Sequence, residues 1–162
     1  MTRAVMTPPN RLEGVVTSGD GPDLDTILAR AAGALASIKD EYVAELRCDI
    51  VTIEQMIPRL TAKTGPEASE ARDHIYRTCH EVRGLAGTFD YPLMSIIGSS
   101  LCLFLEQAGE RAGEHLNVIE AHVGAMKAVL ADNLTGHGGA HGKILQDSLA
   151  QLNAKALLSC AS

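Results

Sequence analysis

Aromatic residues are scarce in this chain of 162 residues, which has no Trp, two Phe and three Tyr. Aliphatic side chains supply most of the hydrophobicity instead, and such a composition suits helix packing better than a β-sandwich. Long basic tracts are also missing, and the formal net charge is −6. Because nucleic acid is bound through clustered Lys and Arg, we expect no nucleic-acid partner.

Apolar runs long enough to cross a bilayer are absent as well. The longest run, residues 92–105, is interrupted by Gly98, Ser99 and Ser100, whereas a membrane-spanning helix needs about 20 apolar residues. The first nine residues show no charged segment followed by an apolar region, which a secretory signal would require. We therefore expect a cytoplasmic protein with no membrane partner.

Neither the cysteines nor the histidines are spaced as metal ligands. The four cysteines are Cys48, Cys79, Cys102 and Cys160. They are far apart and form no Cys-x-x-Cys pair, which favours reduced thiols, and the first three fall in helical patterns where core positions are expected. His115 and His122 are two helical turns apart, and His137 and His141 lie in a glycine-rich segment, so we predict no metal site.

Apolar residues recur every three or four positions along most of the chain, which predicts amphipathic helices. The predicted helices cover about residues 23–38, 40–62, 66–89, 92–107 and 114–134, and a weaker helix follows the glycine-rich segment 133–142. Each carries one apolar stripe, and short turns join them. The predicted fold is all-α: an antiparallel four-helix bundle with an additional N-terminal helix and a C-terminal helix.

This pattern predicts three regions in the chain. We expect a flexible N-terminal tail at residues 1–22, a helical bundle at 23–134, and a glycine-rich linker with a C-terminal helix at 135–162. The C-terminal helix has three open roles, since its weak apolar pattern would let it cap the bundle, pack on a partner or stay loose. In the second predicted helix, Pro58 is expected to bend or loosen the last turn.

The segment Cys79–Phe89, with the sequence CHEVRGLAGTF, places one histidine on the water-facing side of its predicted helix. At about 100° per residue, an apolar stripe is centred about 140° from His80. The stripe consists of Ile75, Cys79, Val82, Ala86 and Phe89. The side around His80 carries Asp73, Tyr76, Arg77, Arg83, Gly84 and Gly87. A histidine displayed in this way is available for chemistry.

The two glycines and two arginines beside His80 need a reason to be there. Glycine inside a helix costs roughly 1 kcal/mol relative to alanine, and Gly84 and Gly87 follow the histidine within two turns. Without side chains, these positions would let another macromolecule approach the imidazole. Arg77 and Arg83 would hold an anion next to it, although solvated surface charges are the simpler alternative.

This segment resembles the histidine-containing phosphotransfer (HPt) domain of bacterial two-component phosphorelays. In that family a helical His is followed by a basic residue, a Gly, small residues and an apolar residue. The corresponding positions here are His80, Arg83, Gly84, Ala86, Gly87 and Phe89. The next helix contains Leu101–Glu106, which is also similar to the family, and the signature covers about 30 residues. Two positions depart from it, because Arg83 replaces the commoner lysine and Leu85 stands where many members have Ser.

The resemblance implies a reversible phosphoryl carrier. His80 would accept a phosphoryl group from an aspartyl phosphate and pass it to another receiver aspartate, while Tyr76, Arg77, Arg83, Gly84 and Gly87 would contact the phosphoryl group and the partner. It implies no autonomous active site and no bound cofactor, because Mg²⁺ would belong to the receiver. The expected partners are response-regulator receiver domains and a hybrid histidine kinase, and we expect a monomer.

Two other functions compete with the phosphoryl carrier. The first is a helical interaction scaffold that binds a receiver domain while His80 is never phosphorylated. The second is a bundle that binds a metal or cofactor, which is disfavoured because the chain has no Glu-x-x-His pair that would project into the core.

Overall fold

The computed structural model describes residues 22–61 and 65–160, and all secondary structure in these residues is helical. The α-helices are α1 (Leu24–Leu60), α2 (Pro66–Leu85), α3 (Pro92–Ala108), α4 (Leu116–Ala131) and α5 (Gly139–Cys160). Two 3₁₀ segments, Ala86–Phe89 and Gly109–His115, precede α3 and α4. The all-α prediction is confirmed. Nearly all of the predicted N-terminal tail, residues 1–21, lies outside the described residues.

The chain divides into two compact units, residues 1–37 and residues 38–162. In the first unit the described residues form only the beginning of α1. The second unit contains the hydrophobic core, to which the C-terminal part of α1 and helices α2 to α5 all contribute. Helix α3 packs against α2, α4 and α5. Its fully buried residues include Leu93, Ile97, Leu101 and Phe104, so α3 is the central helix of this core.

Helix α1 corrects the prediction of two separate N-terminal helices. It runs without a break from Leu24 to Leu60, through the position near residue 39 where we expected an interruption. From Tyr42 onward its apolar stripe is buried, whereas Leu24 and Leu35 are 69% and 68% exposed. The buried residues of this stripe are Tyr42, Leu46, Ile50, Ile53, Ile57 and Leu60. The large apolar side chains in the first part of α1 are thus exposed. Pro58 stands in the last turn, and the helix ends two residues after it.

Local sequence signals place the ends of α2 and α3. Pro66 and Pro92 begin these helices, as expected where the missing N–H would have no helical acceptor. Helix α2 passes directly into the 3₁₀ segment at Ala86, and Asp90 then adopts a left-handed conformation with φ of 70°. The predicted helix ended near Phe89, which is correct in position, but its last turn is tighter than an α-helix.

The C-terminal helix packs on the core through its buried residues Leu149, Asn153 and Ala156. The sequence left its role open, and the structure shows that it covers α3 and α4. It also begins at Gly139, inside the segment that we predicted as a linker. Gly142 is buried, and a Cβ atom there would collide with the backbone carbonyl of His137, so glycine is required at this position.

Two of the three cysteines expected in the core are there. Cys79 and Cys102 are buried, whereas Cys48 is exposed on α1 and corrects that prediction. All four thiols are free.

A buried polar network joins α3, α4 and α5. His122 is fully buried; its Nδ1 lies 2.8 Å from the Val118 carbonyl oxygen and its Nε2 lies 2.9 Å from the Ser100 hydroxyl oxygen. Since a carbonyl can only accept, Nδ1 carries the proton and Nε2 accepts from Ser100. The Asn153 amide donates to the Ser100 hydroxyl oxygen at 3.0 Å. The network suits a neutral imidazole, and burial, which lowers the pKa of His122, favours this neutral form.

We predict that this network makes the fold sensitive to acid. Because the pKa of His122 is lower in the folded chain than its ordinary value of 6.5, the unfolded state binds more protons below that pH. The free energy of unfolding should therefore fall as the pH drops below 6.5, and His122→Gln should remove this part of the dependence. Urea unfolding at a series of pH values measures it. Exposed His141→Gln is the control, and an unchanged pH dependence in His122→Gln would contradict the prediction.

Candidate functional site

The candidate site is the exposed side of α2 around His80. On the opposite side of this helix, Ile75, Cys79 and Val82 are no more than 1% exposed. His80 is exposed, as the angular argument predicted. Burial also raises the pKa of the Cys79 thiol, so this neighbour stays protonated and unreactive at neutral pH. The imidazole is thus the reactive group that this turn presents to solvent.

Close packing of α2 on α3 holds His80 in this orientation. Gly98 of α3 faces the backbone of α2, where a Cβ atom would lie 3.1 Å from the Cys79 carbonyl oxygen and 3.5 Å from the Arg83 nitrogen. The absence of a side chain lets the two backbones approach directly behind the histidine. In the sequence, Gly98 is visible only as part of the interruption of the apolar run 92–105, and nothing there identifies the helix that approaches.

Tyr76 lies next to His80 and is bound to α3. The two ring centroids are 6.2 Å apart and the rings are tilted by 40°. The Tyr76 hydroxyl donates a hydrogen bond to Glu106 Oε1 at 2.6 Å, and this bond raises the pKa of Tyr76. Glu106 fixes the ring beside the imidazole, a role that sequence reasoning did not assign to it. The two residues are 30 positions apart, so no local pattern links them.

The two arginines near His80 have no carboxylate partner among the described residues. Arg77 is exposed, and its Nε donates to the backbone carbonyl of Asp73 at 3.3 Å. Arg83 is half-buried. The pKa values of Tyr76 and Cys102 are raised, and the positive charge of Arg83 partly offsets this rise. In contrast, Arg72 pairs with Asp73 at 3.0 Å. Both guanidinium groups near His80 are therefore available to an external anion.

Gly84 and Gly87 are both exposed, and the packing of the chain requires neither of them. A Cβ atom at Gly84 would meet nothing within 4 Å, and one at Gly87 would make an ordinary contact of 3.6 Å with the Ser95 hydroxyl oxygen. Gly87 lies in the 3₁₀ segment, so its position around the helix axis differs from the position that an ideal α-helix would give it. Leu85, between them, is 50% exposed. The open space at Gly84 supports the interpretation that this position lets another macromolecule approach the His80 imidazole.

The structure brings most of the predicted site together. Tyr76, Arg77, His80, Arg83 and Gly84 share one side of α2, and Gly87 follows in the next segment. Among the described residues, no group of three or more potential ligands from His, Cys, Asp and Glu could hold a metal. Within the same residues, no helix combines the length and the apolar character needed to cross a membrane.

No protein-family model, curated protein or solved structure matches this chain.

We predict that alanine substitutions at Gly84 and at Gly98 will change the free energy of unfolding in opposite directions. Gly84→Ala should raise the free energy of unfolding by about 0.5 kcal/mol, because helix propensity improves and the space is open. Gly124→Ala is the matched control, since Gly124 is also an exposed helical glycine with open space. Gly98→Ala should lower stability, because its Cβ would crowd the Cys79 carbonyl. Thermal or urea unfolding compares the three, and a loss of stability in Gly84→Ala would show that the fold requires this glycine.

Proposed function

We propose that this chain carries a phosphoryl group on His80 between receiver-domain aspartates in two-component signal transduction. The exposed imidazole next to the open space at Gly84 is the observation that carries the proposal. The two guanidinium groups without carboxylate partners give it further support. In this proposal the helices form the antiparallel four-helix bundle of an HPt domain, and the resemblance of residues 80–89 to that family motivates the assignment.

The transfer needs little from the carrier beyond a positioned nucleophile. A ring nitrogen of His80 attacks the phosphorus of the receiver's aspartyl phosphate; a P–N bond forms while the P–O bond to aspartate breaks, leaving a free carboxylate on the receiver. In the reverse step an aspartate of a second receiver attacks, and the imidazole leaves. Such reactions depend on positioning and charge stabilisation. Mg²⁺ would be held by the receiver, and Arg77 and Arg83 would add positive charge.

The exposed face of α2 fits an acidic partner of this kind. A receiver must bring its phosphorylated aspartate into contact with His80, and the missing side chains at Gly84 and Gly87 leave room for that approach. Arg77 and Arg83 complement the negative charge of the phosphoryl group and its surroundings. The carrier itself needs no ATP site, so a hybrid histidine kinase would supply phosphoryl groups through its receiver. These partners act in the cytoplasm, where we place the chain.

Phosphoryl labelling of the full chain by a phosphorylated receiver tests the proposal. The wild type should acquire an acid-labile, alkali-stable label, and His80→Gln should acquire none because it lacks the accepting nitrogen. His74→Gln is the matched control, since this histidine lies on the same helix but about 120° away around its axis. Labelling of His80→Gln at the wild-type level would overturn the proposal. Binding to the receiver without labelling of any variant would overturn it in favour of the scaffold.

A second prediction concerns clearance at Gly84. Gly84→Gln should leave the fold intact but reduce the rate of transfer at least tenfold, because its side chain would occupy the space that a receiver must enter. Gly124→Gln, which places the same side chain on an exposed turn of α4, should transfer at the wild-type rate. Initial rates of labelling at equal receiver concentration measure the difference. Equal rates in the two variants would show that Gly84 does not lie in the docking surface.

A further inference from the structure

The first part of α1 exposes a continuous apolar face, which we call the α1 seam. Its large exposed side chains are Leu24 (69%), Ile27 (50%), Leu28 (56%), Leu35 (68%) and Ile38 (48%). Single exposed aliphatic residues are normal on a protein surface, but a contiguous face of five on one helix marks an interaction surface.

The seam has the spacing of a coiled coil. Along α1 the positions Leu24, Ile27, Ala31, Ala34 and Ile38 are separated alternately by three and four residues, which is the a and d pattern of a heptad. Leu28 and Leu35 lie next to this line and widen it. The seam extends over about 21 Å of helix, at 1.5 Å per residue. Its small residues are in the middle and its large residues are at both ends.

We propose that the α1 seam binds a second copy of this chain, so that the protein is a two-fold symmetric dimer. A second copy supplies a matching apolar stripe, since the seam pairs with itself in register when parallel or about Ala31 when antiparallel. Both arrangements make an isologous interface, the commonest kind in homodimers. The dimer replaces our expectation of a monomer, and it does not depend on the proposed phosphoryl transfer.

The area of the seam is sufficient for such an interface. Pairing would cover ten large aliphatic side chains, five from each copy, which is on the order of 1,000 Å² of surface and reaches the lower bound for a specific interface.

The charges along α1 favour a protein partner over a lipid surface. The charged residues of segment 23–41 are Asp23, Asp25, Asp40 and Glu41, against Arg30 and Lys39. A helix that lies on an anionic membrane carries many Lys and Arg on its polar face. The acidic excess here would repel such a surface, whereas a helix–helix seam needs no net positive charge.

Sedimentation equilibrium of the full chain tests the proposal. The wild type should have twice the chain mass of 17.1 kDa across about 1–100 μM. The double variant Leu28→Asp/Leu35→Asp should sediment at the single-chain mass, because buried aspartates would disrupt the seam. The matched control Ala29→Asp/Ala36→Asp adds the same charges to the opposite, exposed side of α1 and should remain dimeric. Circular dichroism compares the helical content of the three proteins.

Two results would overturn the dimer. One is a wild type that sediments at the single-chain mass throughout this range, which would also be the outcome if another segment of the same chain covered the seam. The other is a Leu28→Asp/Leu35→Asp variant that remains dimeric, since the interface would then lie elsewhere. Phosphoryl labelling of His80 is a separate readout, so the failure of one proposal does not imply the failure of the other.

Discussion

The packing of α2 against α3 is the contact on which the candidate site depends. Burial of Ile75, Cys79 and Val82 fixes the rotation of α2 about its axis, and full burial of a large aliphatic side chain contributes about 1.5–3 kcal/mol. Gly98 lets the backbones approach, so this rotation is held by close contact as well as by hydrophobic burial. His80 is exposed as a consequence. The exposure of His80 is therefore determined by residues that are themselves buried.

The polar residues divide into those that hold the structure and those that remain available. His122, Ser100 and Asn153 bind one another inside the core and join three helices. Both ring nitrogens of His122 are occupied by contacts inside the core, one with the Val118 carbonyl and one with the Ser100 hydroxyl, so this histidine is structural. At the surface, Arg77 and Arg83 have no carboxylate partner among the described residues. The same chain thus contains His122, which hydrogen bonds hold in the core, and His80, which is exposed next to two arginines without a carboxylate partner among the described residues.

Helix α1 shows where periodicity stops being informative. Its apolar stripe keeps a similar helical spacing before and after position 39, yet its large side chains are exposed in the first part and buried from Tyr42 onward. A repeating pattern identifies an apolar face but does not say what covers it. Polar contacts are harder still to predict, because Tyr76 meets Glu106 across 30 residues and His122 meets Ser100 across 22. Such pairs depend on which helices become neighbours.

The sequence by itself determined the helical class, the approximate limits of α2 and α3, and the side of α2 on which His80 stands. These properties follow from local rules: a period of 3.6 residues, prolines at helix starts, and glycine near helix ends. Only the folded chain shows that the apolar stripe of α1 is buried from Tyr42 onward, that α5 packs on α3 and α4, and that Glu106 holds Tyr76. The reason is physical, since these features depend on burial and contact between residues distant in the chain, which local propensity does not encode.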